Sequence, residues 1–212
     1  MTRRTCDVVV VGAGMAGASV AAELSSRASV VIVEAETSAG AHSTGRSAAA
    51  FLPSYGGSLV RALTSASRPL YDAISLQLGE ELLPRRWLIW LGTDAAGEAA
   101  VAGISAQNPS LDVLTPAEAV ELFPPLRLER VVGAALDSSA TDIDVARLHH
   151  HYLSTSKRLG ADLLLHAPVS SIQRSRAGWE VQAGDHVISC ASVVNAAGAW
   201  ACLLYTSDAA DE

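Results

Sequence analysis

The first part of the chain alternates a short apolar run, a segment of good helix formers and a second apolar run. Residues 8–11 form a β-branched run that enters Gly12, and residues 18–27 favour a helix. The second run, residues 29–33, stops at Glu34. This order predicts strand, tight turn, helix and strand, which together open a parallel α/β sheet.

Three glycines in the turn have the spacing of a dinucleotide-binding fingerprint. Gly12 allows the tight turn, Gly14 lets the backbone approach a pyrophosphate, and Gly17 permits close packing of helix on strand. The N-terminus of the following helix favours the anion, and Glu34 is placed to accept hydrogen bonds from an adenosine ribose. The fingerprint predicts a dinucleotide site and leaves NAD and FAD open, with a ligand-free glycine turn as the structural alternative.

A loop of small residues around one arginine, HSTGRSAAAF at residues 42–51, follows the second run. Such a loop can run its backbone along an extended ligand, and Arg46 can donate charge-assisted hydrogen bonds to a pyrophosphate or carboxylate. The loop therefore favours FAD over NAD. The alternative is a solvated surface turn whose arginine stem packs along the surface.

The middle of the chain has helical apolar spacing, interrupted by one strand. Residues 58–78 follow the helical period, and Pro69 predicts a break into two helices. A strand is predicted at residues 85–91 and a helix at residues 94–106. The sequence Thr115-Pro116-Ala117-Glu118 has the capping-box pattern of a further helix start.

The last third returns to strands around one helix. Residues 144–159 are predicted to be helical and carry His149, His150 and His151. Consecutive helical residues point about 100° apart, so these histidines cannot converge on one metal, and we expect surface or packing histidines. Strands are predicted at residues 131–136, 161–165, 169–174, 178–181, 186–190 and 192–195.

Composition and charge exclude several classes of protein. Half of the 212 residues are apolar, and 15 Lys+Arg against 22 Asp+Glu give a net charge of −7, which argues against nucleic acid as a partner. Cys6, Cys190 and Cys202 form no CxxC pair, so neither a disulfide framework nor a structural metal is expected. No uncharged apolar run reaches the roughly 20 residues of a membrane span. We expect a cytoplasmic protein, with peripheral association at the inner membrane as an alternative.

Four segments together resemble one family. CDVVVVGAGMAGASVAAEL, VVIVE, HSTGRSAA and VVNAAGAW are similar to segments of the FAD-dependent D-amino-acid oxidase and dehydrogenase superfamily, the DAO family, and within it most to the bacterial D-arginine dehydrogenases. The resemblance implies an α/β fold, with a Rossmann-like FAD-binding domain of the glutathione-reductase type at residues 1–80 and 139–201. An α+β substrate domain is inserted at residues 81–138. FAD is the implied cofactor, a small amino acid the substrate, and a quinone or oxygen the electron acceptor.

The resemblance also implies which residues hold the flavin. The glycine turn meets the pyrophosphate, the end of the second strand meets the ribose, and the small-residue loop wraps the ribityl region and leads to the ring. Two later segments meet the adenine and come close to the cofactor. In that order the residues are Gly12, Gly14, Ala16 and Gly17; Glu34 and Ala35; Ser43, Thr44, Gly45, Arg46, Ser47, Ala48, Ala49 and Ala50; Val169; and Ala197 and Gly198.

Three positions bear on the substrate. Tyr55 matches a family tyrosine over the substrate entrance, with a buried core tyrosine as the alternative. Ala50 stands where the D-arginine dehydrogenases have a histidine near the flavin, and Trp87 where they have a glutamate that grips a basic side chain. An indole in place of an acid removes the ion-pair partner and adds apolar surface.

We therefore expect oxidation of a neutral or hydrophobic D-amino acid by hydride transfer from Cα to flavin N5, giving a 2-oxo acid and ammonia after hydrolysis. Oxidation of a 2-hydroxy acid or an N-methyl amino acid is the enzymatic alternative.

The segment CLLYTSDAADE, residues 202–212, breaks the resemblance and can be back-translated into a transposase sequencing adapter. We expect a non-native, irregular tail and hence an N-terminal fragment that lacks half of its active site. A genuine acidic terminus is the alternative to an adapter, and a non-catalytic fragment is the alternative to an enzyme.

Overall fold

The computed structural model describes residues 1–176 and 178–206, with the side chains of residues 205 and 206 left aside. The chain divides into two compact units, one made of Met1–Ala48 and Val145–Glu212 and the other of Ala49–Asp144. In chain order the elements are β1 (Thr2–Val11), α1 (Met15–Leu24), β2 (Val30–Val33), β3 (Ala50–Phe51), α2 (Ser58–Leu78), β4 (Leu88–Gly92), α3 (Ala95–Gln107), β5 (Asp112–Leu114), α4 (Pro116–Leu122), β6 (Gly133–Asp137), β7 (Thr141–Asp142), α5 (Val145–Arg158), β8 (Asp162–Leu164), β9 (Val169–Ser175), β10 (Gly178–Ala183), β11 (His186–Asn195) and α6 (Leu203–Thr206), with short 3-10 helices at Leu128–Arg130 and Gly198–Trp200.

The first unit is built on a six-stranded sheet in the order β8-β2-β1-β11-β10-β9. β8, β2, β1 and β11 run parallel, and β10 and β9 continue the sheet antiparallel. The chain leaves β1 through α1 to β2 on one side, and β11 lies on the other side. The carboxyl end of β1 is therefore the switch point at which open α/β sheets bind ligands.

Both faces of the parallel strands are covered, which explains their continuous apolar runs. On one face Val10 and Ile32 pack with Ala21 of α1, and Leu153 of α5 packs against the same cluster. On the other face Val9 and Val11 pack with apolar residues of β10 and β11. The predicted α/β class is confirmed.

The second unit contains a three-stranded antiparallel sheet, β4-β6-β5, and the short pair β3-β7. Asp94 caps α3 by accepting a hydrogen bond from the Gly97 N–H at 2.7 Å. The predicted capping box is present at α4, where Thr115 accepts from the Glu118 N–H and Glu118 accepts from the Thr115 N–H. The Glu118 carboxylate accepts from the Thr115 N–H and also from the Thr115 hydroxyl, each at 2.7 Å, and these two hydrogen bonds, the N–H first, lower the pKa of Glu118.

Two predicted breaks are wrong. The segment predicted as two helices is the single helix α2, with Pro69 inside it. Proline removes one ladder hydrogen bond, and the other bonds of a 21-residue helix continue on both sides. Residues 186–195 form the single strand β11, because the parallel register with β1 runs through residue 191 without a turn.

The two units divide the chain differently from the predicted domains at 1–80, 81–138 and 139–201. α2 is grouped with the second unit, where Ser75 accepts a hydrogen bond from the Leu82 N–H at 3.1 Å and Tyr71 packs on Phe51. The predicted domain boundaries stay a prediction.

The predicted irregular tail is wrong for Leu203–Thr206, which form a short helix. Residues 207–212 of that segment lie outside the described residues, and its non-native origin stays a prediction. In the part of the chain that the structure describes, no helix is both long and apolar enough to cross a membrane.

Candidate functional site

The turn after β1 makes close backbone contacts on two sides. Gly12 has a φ of +99°, and a Cβ there would lie 2.5 Å from the Ala196 carbonyl oxygen at the end of β11. A Cβ on Gly17 would overlap the Gly12 carbonyl oxygen. Glycine at both positions lets α1 start directly over the end of the sheet.

Ala13, inside this turn, is held on both of its peptide bonds. Its N–H donates to Glu34 Oε2 at 2.8 Å, and its carbonyl oxygen lies 2.8 Å from His149 Nε2. The other carboxylate oxygen of Glu34 accepts from the Glu36 N–H at 3.0 Å. The end of β2 and helix α5 therefore fix the path of the glycine turn.

The start of α1 offers backbone donors in a first turn that carries no charged side chain. Gly14 is the N-cap and makes no side-chain cap hydrogen bond, and the first turn, Met15-Ala16-Gly17-Ala18, carries no charged side chain. Thr44 Oγ1 accepts from the Met15 N–H at 2.9 Å. The positive end of the helix dipole therefore faces Thr44 and the space around it.

A cavity of about 440 Å³ opens at this end of the sheet. That volume lies in the range of about 300–1,000 Å³ usual for ligand pockets. Ten of the predicted flavin-binding residues line it: Gly12, Gly14, Ala16, Glu34, Ala35, Ser43, Thr44, Val169, Ala197 and Gly198. Residues that were not predicted also line it, among them Met15, Glu36, Gly40, His42, Ala167 and Trp200.

The remaining predicted flavin-binding residues lie elsewhere. Gly17 is buried under the turn. Gly45, Arg46, Ser47 and Ala48 are exposed and lie outside the lining that the described residues form. Ala49 and Ala50 begin the second unit, where Ala49 has a positive φ of 54° and Ala50 pairs with Asp142. The flavin contacts expected of these residues stay a prediction.

His42 and Trp200 were not singled out, although both lie in segments that carry the family resemblance. The His42 ring lies 4.5 Å from the Trp200 ring, and its Nε2 lies 2.9 Å from Glu36 Oε1. They hold the first residues of the loop against the turn after β11. Residue type alone gave no reason to pair positions so far apart in sequence.

The three predicted substrate residues lie in the second unit, on separate segments. Tyr55 is 59% exposed, so the alternative of a core tyrosine is wrong, and its ring stacks on Trp90 at 6.3 Å. Trp87 is 51% exposed and directly precedes β4. Ala50 is exposed at β3. Trp90 was not singled out as a neighbour of Tyr55, because a tryptophan inside the strand predicted at residues 85–91 indicates only packing.

The triplet of histidines separates as its helical spacing requires. His149 is buried against the glycine turn and His150 is exposed. Burial and the positive charge of Arg158 lower the pKa of His151. Within residues 1–176 and 178–206, no group of three or more His, Cys, Asp or Glu side chains could hold a metal ion.

The residues of the cavity fit a dinucleotide on structural grounds. Glu34 directly follows β2 and its carboxylate accepts from the glycine turn, and α1 directs its N-terminus at the same space. The absence of a side chain at Gly14 keeps the space next to Thr44 open, since a Cβ would lie 3.2 Å from Thr44 Oγ1. These are the features that a pyrophosphate flanked by an adenosine requires.

Comparisons with known proteins agree with this geometry. The DAO family model, described as FAD dependent oxidoreductase, matches residues 7–211. Glycine oxidase from Geobacillus kaustophilus is similar in structure, with 24% identity, a TM-score of 0.85, and coverage of 96% of this chain and 58% of that one. L-proline dehydrogenase from P. horikoshii has 22% identity, a TM-score of 0.80, and coverage of 97% and 56%.

L-alpha-glycerophosphate oxidase from Mycoplasma pneumoniae, solved with FAD bound, has 16% identity, a TM-score of 0.78, and coverage of 93% of this chain and 55% of that one. At these identities the likeness shows the fold. The chain spans 55% to 58% of the length of these three proteins.

Proposed function

The chain belongs to the DAO family of FAD-dependent oxidoreductases, and from this premise we propose that its first unit holds FAD and that the protein oxidises D-amino acids with neutral or hydrophobic side chains. The observation that supports the cofactor most strongly is the cavity at the end of β1, because it gathers the glycine turn, the α1 N-terminus and Glu34. The observation that supports the substrate class is Trp87.

In this proposal the pyrophosphate lies at the start of α1. Gly14 and Ala16 present backbone N–H groups there. Thr44 accepts a hydrogen bond from Met15 N–H, and its own hydroxyl hydrogen can still be donated to a phosphate oxygen. The Glu34 carboxylate keeps lone pairs for the ribose hydroxyls, since each oxygen accepts one backbone N–H.

The flavin, when bound, supplies the acceptor for the hydride that leaves the substrate Cα. The chain's own residues bind and orient. The predicted contacts of Tyr55 and Ala50 with the substrate pocket follow from the family resemblance, as do the contacts of Ser43 to Ala50 with the flavin. The product imino acid takes up water to give a 2-oxo acid and ammonia.

The substrate proposal depends on charge. The D-arginine dehydrogenases that the sequence resembles place a glutamate at the position of Trp87. Here that position carries an indole that is 51% exposed. A cationic side chain would lose its ion-pair partner, whereas a leucine or phenylalanine side chain would gain an apolar contact.

The test exchanges this residue in protein expressed from the whole gene. We expect wild-type kcat/KM to be higher for D-leucine than for D-arginine. Trp87→Glu should shift the ratio toward D-arginine by about tenfold or more, since a hydrogen bond to a charged group in a closed pocket contributes about 1.5 kcal/mol or more. Trp87→Gln, which has the shape of glutamate without its charge, is the matched control and should not favour D-arginine. Comparable wild-type values for the two substrates would contradict the proposed specificity.

The configuration of the substrate needs its own test. The names of the similar proteins state L-proline, glycine or L-alpha-glycerophosphate as their substrates. We expect D-leucine to bleach the flavin under anaerobic conditions. L-leucine, N-methyl-leucine and 2-hydroxyisocaproate should not bleach it. Faster bleaching by any of the last three would replace the D-amino acid with that class. The electron acceptor, the quinone or oxygen predicted above, and the cytoplasmic location stay predictions.

A further inference from the structure

His149 is a buried histidine that the flavin-binding proposal does not use. It lies in α5, far from the glycine turn in sequence, and only 9% of it is exposed. Its Nε2 lies 2.8 Å from the Ala13 carbonyl oxygen. Because a carbonyl oxygen only accepts, Nε2 must carry the hydrogen and donate it.

The loop that follows β2 contacts the imidazole ring of His149 on a second side. A Cβ on Gly40 would lie 2.9 Å from His149 Cε1 and 3.2 Å from Nδ1, so the ring lies directly against the Gly40 backbone. Gly40 also accepts a hydrogen bond from the Gly45 N–H at 2.9 Å. The ring is thus fixed between α5, the glycine turn and the start of the small-residue loop.

The hydrogen bond to Ala13 determines where the next N–H points. The Ala13–Gly14 peptide is trans, so its carbonyl oxygen and the Gly14 N–H point in opposite directions. With the carbonyl held by His149 behind the turn, the Gly14 N–H is directed away from His149. Gly14 lines the cavity, whereas His149 lies outside the lining that the described residues form.

The turn needs this anchor because of its composition. Gly14 has no Cβ, so rotation of the Ala13–Gly14 peptide meets little steric resistance from its side. Glu34 holds the preceding peptide through the Ala13 N–H at 2.8 Å. Without His149 the second peptide would populate several orientations, and only one of them presents the N–H to an anion.

We propose that His149 is a positioning residue of the dinucleotide site, which holds the Ala13–Gly14 peptide in the orientation that binds the FAD pyrophosphate. This inference rests on the proposed flavin binding. It assigns His149 no contact with FAD and no part in hydride transfer. Its effect is on affinity, because the apparent Kd of a ligand that binds one of several orientations is the intrinsic Kd divided by the fraction of molecules in that orientation.

The test measures FAD and ADP affinity of the full chain by titration, with far-UV circular dichroism and the melting temperature recorded for each variant. His149→Leu removes the donor, and we expect it to raise both Kd values about tenfold, because the two ligands share the pyrophosphate. His149→Gln places an N–H near the position of Nε2 and should restore affinity to within about threefold of wild type. His149→Asn, whose N–H corresponds to Nδ1, should not restore it.

Two controls separate positioning from packing. His150→Leu makes the same change one residue on, at an exposed position, and should leave both Kd values unchanged. Leu148→Ala removes a side chain that is 2% exposed on the same helix and should lower the melting temperature while keeping FAD affinity. Should His149→Leu fail to fold, the comparison of Gln with Asn still decides.

Four results would overturn the proposal. The first is FAD affinity within about twofold of wild type in folded His149→Leu. The second is an equal loss of affinity in Leu148→Ala, and the third is equal Kd values for His149→Gln and His149→Asn. The fourth is a folded wild-type chain that binds neither FAD nor ADP, which removes the proposed function as well, whereas the first three leave it standing.

Discussion

Gly17 lies where α1 crosses the turn after β1, and its Cα faces the Gly12 carbonyl oxygen. The contact is backbone against backbone, so no side chain can move aside to admit a Cβ. This residue therefore sets how closely the helix N-terminus approaches the end of the sheet.

We predict that Gly17→Ala lowers the free energy of unfolding by about 1–3 kcal/mol, the usual cost of overpacking, and weakens FAD binding. The measurement is urea unfolding together with flavin titration. Gly103→Ala is the matched control. It lies in α3, where the added Cβ would meet no atom within 4 Å apart from its chain neighbours and the backbone of its own helix, and the change should stabilise the chain by about 0.5–1 kcal/mol. Equal effects of the two variants would show that the close approach at Gly17 is not required.

Asp7 shows how pH acts on the same sheet. Its carboxylate accepts from the Ser29 hydroxyl at 2.6 Å and from the Ser29 N–H at 2.7 Å. Hydrogen bonds to the charged form lower the pKa of Asp7 below its ordinary value of about 3.9, the hydroxyl more than the N–H. The group therefore stabilises the fold above its unfolded pKa, and this contribution is lost as the pH falls through the folded pKa.

From this sign we predict that Asp7→Asn lowers the melting temperature at pH 7, and that the difference from wild type shrinks as the pH falls below about 4. Thermal scans of both proteins from pH 7 to pH 3 measure it. A difference that stays constant over this range would mean that the carboxylate charge contributes nothing to the bond with Ser29.

At the level of residues, the sequence allows a prediction where a single structural or chemical requirement selects one residue type. Gly12, Gly14 and Glu34 were singled out because a turn, a close approach and a ribose each require a particular group, and all three line the cavity. Their contacts with a flavin stay a prediction. His149 could not be found in this way, since its partner is a carbonyl 136 residues away. Its only sequence signal is its position on the apolar face of α5, beside Leu148.

At the level of elements, β1 and β11 place two thiols in register. Cys6 pairs with Cys190 across the parallel strands, and both are buried. Burial, and to a lesser extent the neighbouring Cys190, raises the pKa of Cys6 to about 11, and burial also raises the pKa of Cys190. Cys202, in contrast, is exposed.

We predict that an aromatic disulfide reagent at pH 8 modifies one thiol rapidly and the other two only as the chain unfolds, because the thiolate is the reactive form. Stopped-flow absorbance gives the rates, and Cys202→Ser should abolish the rapid phase. Rapid reaction of a second thiol in the folded protein would contradict the burial of this strand pair.

The predicted elements fail where the hydrogen bonds of a long helix or of a strand pair override a local signal. Pro69 predicted a helix break, yet α2 continues through it. β11 was expected as two strands, yet its pairing with β1 extends from His186 to Asn195. The short strands β3 and β7 have no sequence signal. Each has only two residues, too few to show an alternating pattern, and it is a strand only because it pairs with the other.

At the scale of the molecule, the α/β class follows from the order of runs, turn and helix in the first residues. The family follows from the resemblance of four segments spread along the chain, and the match of the family model confirms it. The division into units does not, since it depends on contacts of α2 that periodicity cannot assign. The chain also spans little more than half of the similar structures, so the activity of the protein is a proposal that depends on more than the cavity.

Flavin binding at the end of β1 is tested most directly by equilibrium titration of the purified chain with FAD, measured by flavin fluorescence and repeated with NADH. We predict saturable binding of one FAD per chain, competition by ADP, and no comparable binding of NADH. A chain that is folded by circular dichroism and fails to bind FAD, or that binds NADH in preference, would contradict the assignment of the cavity at the end of β1.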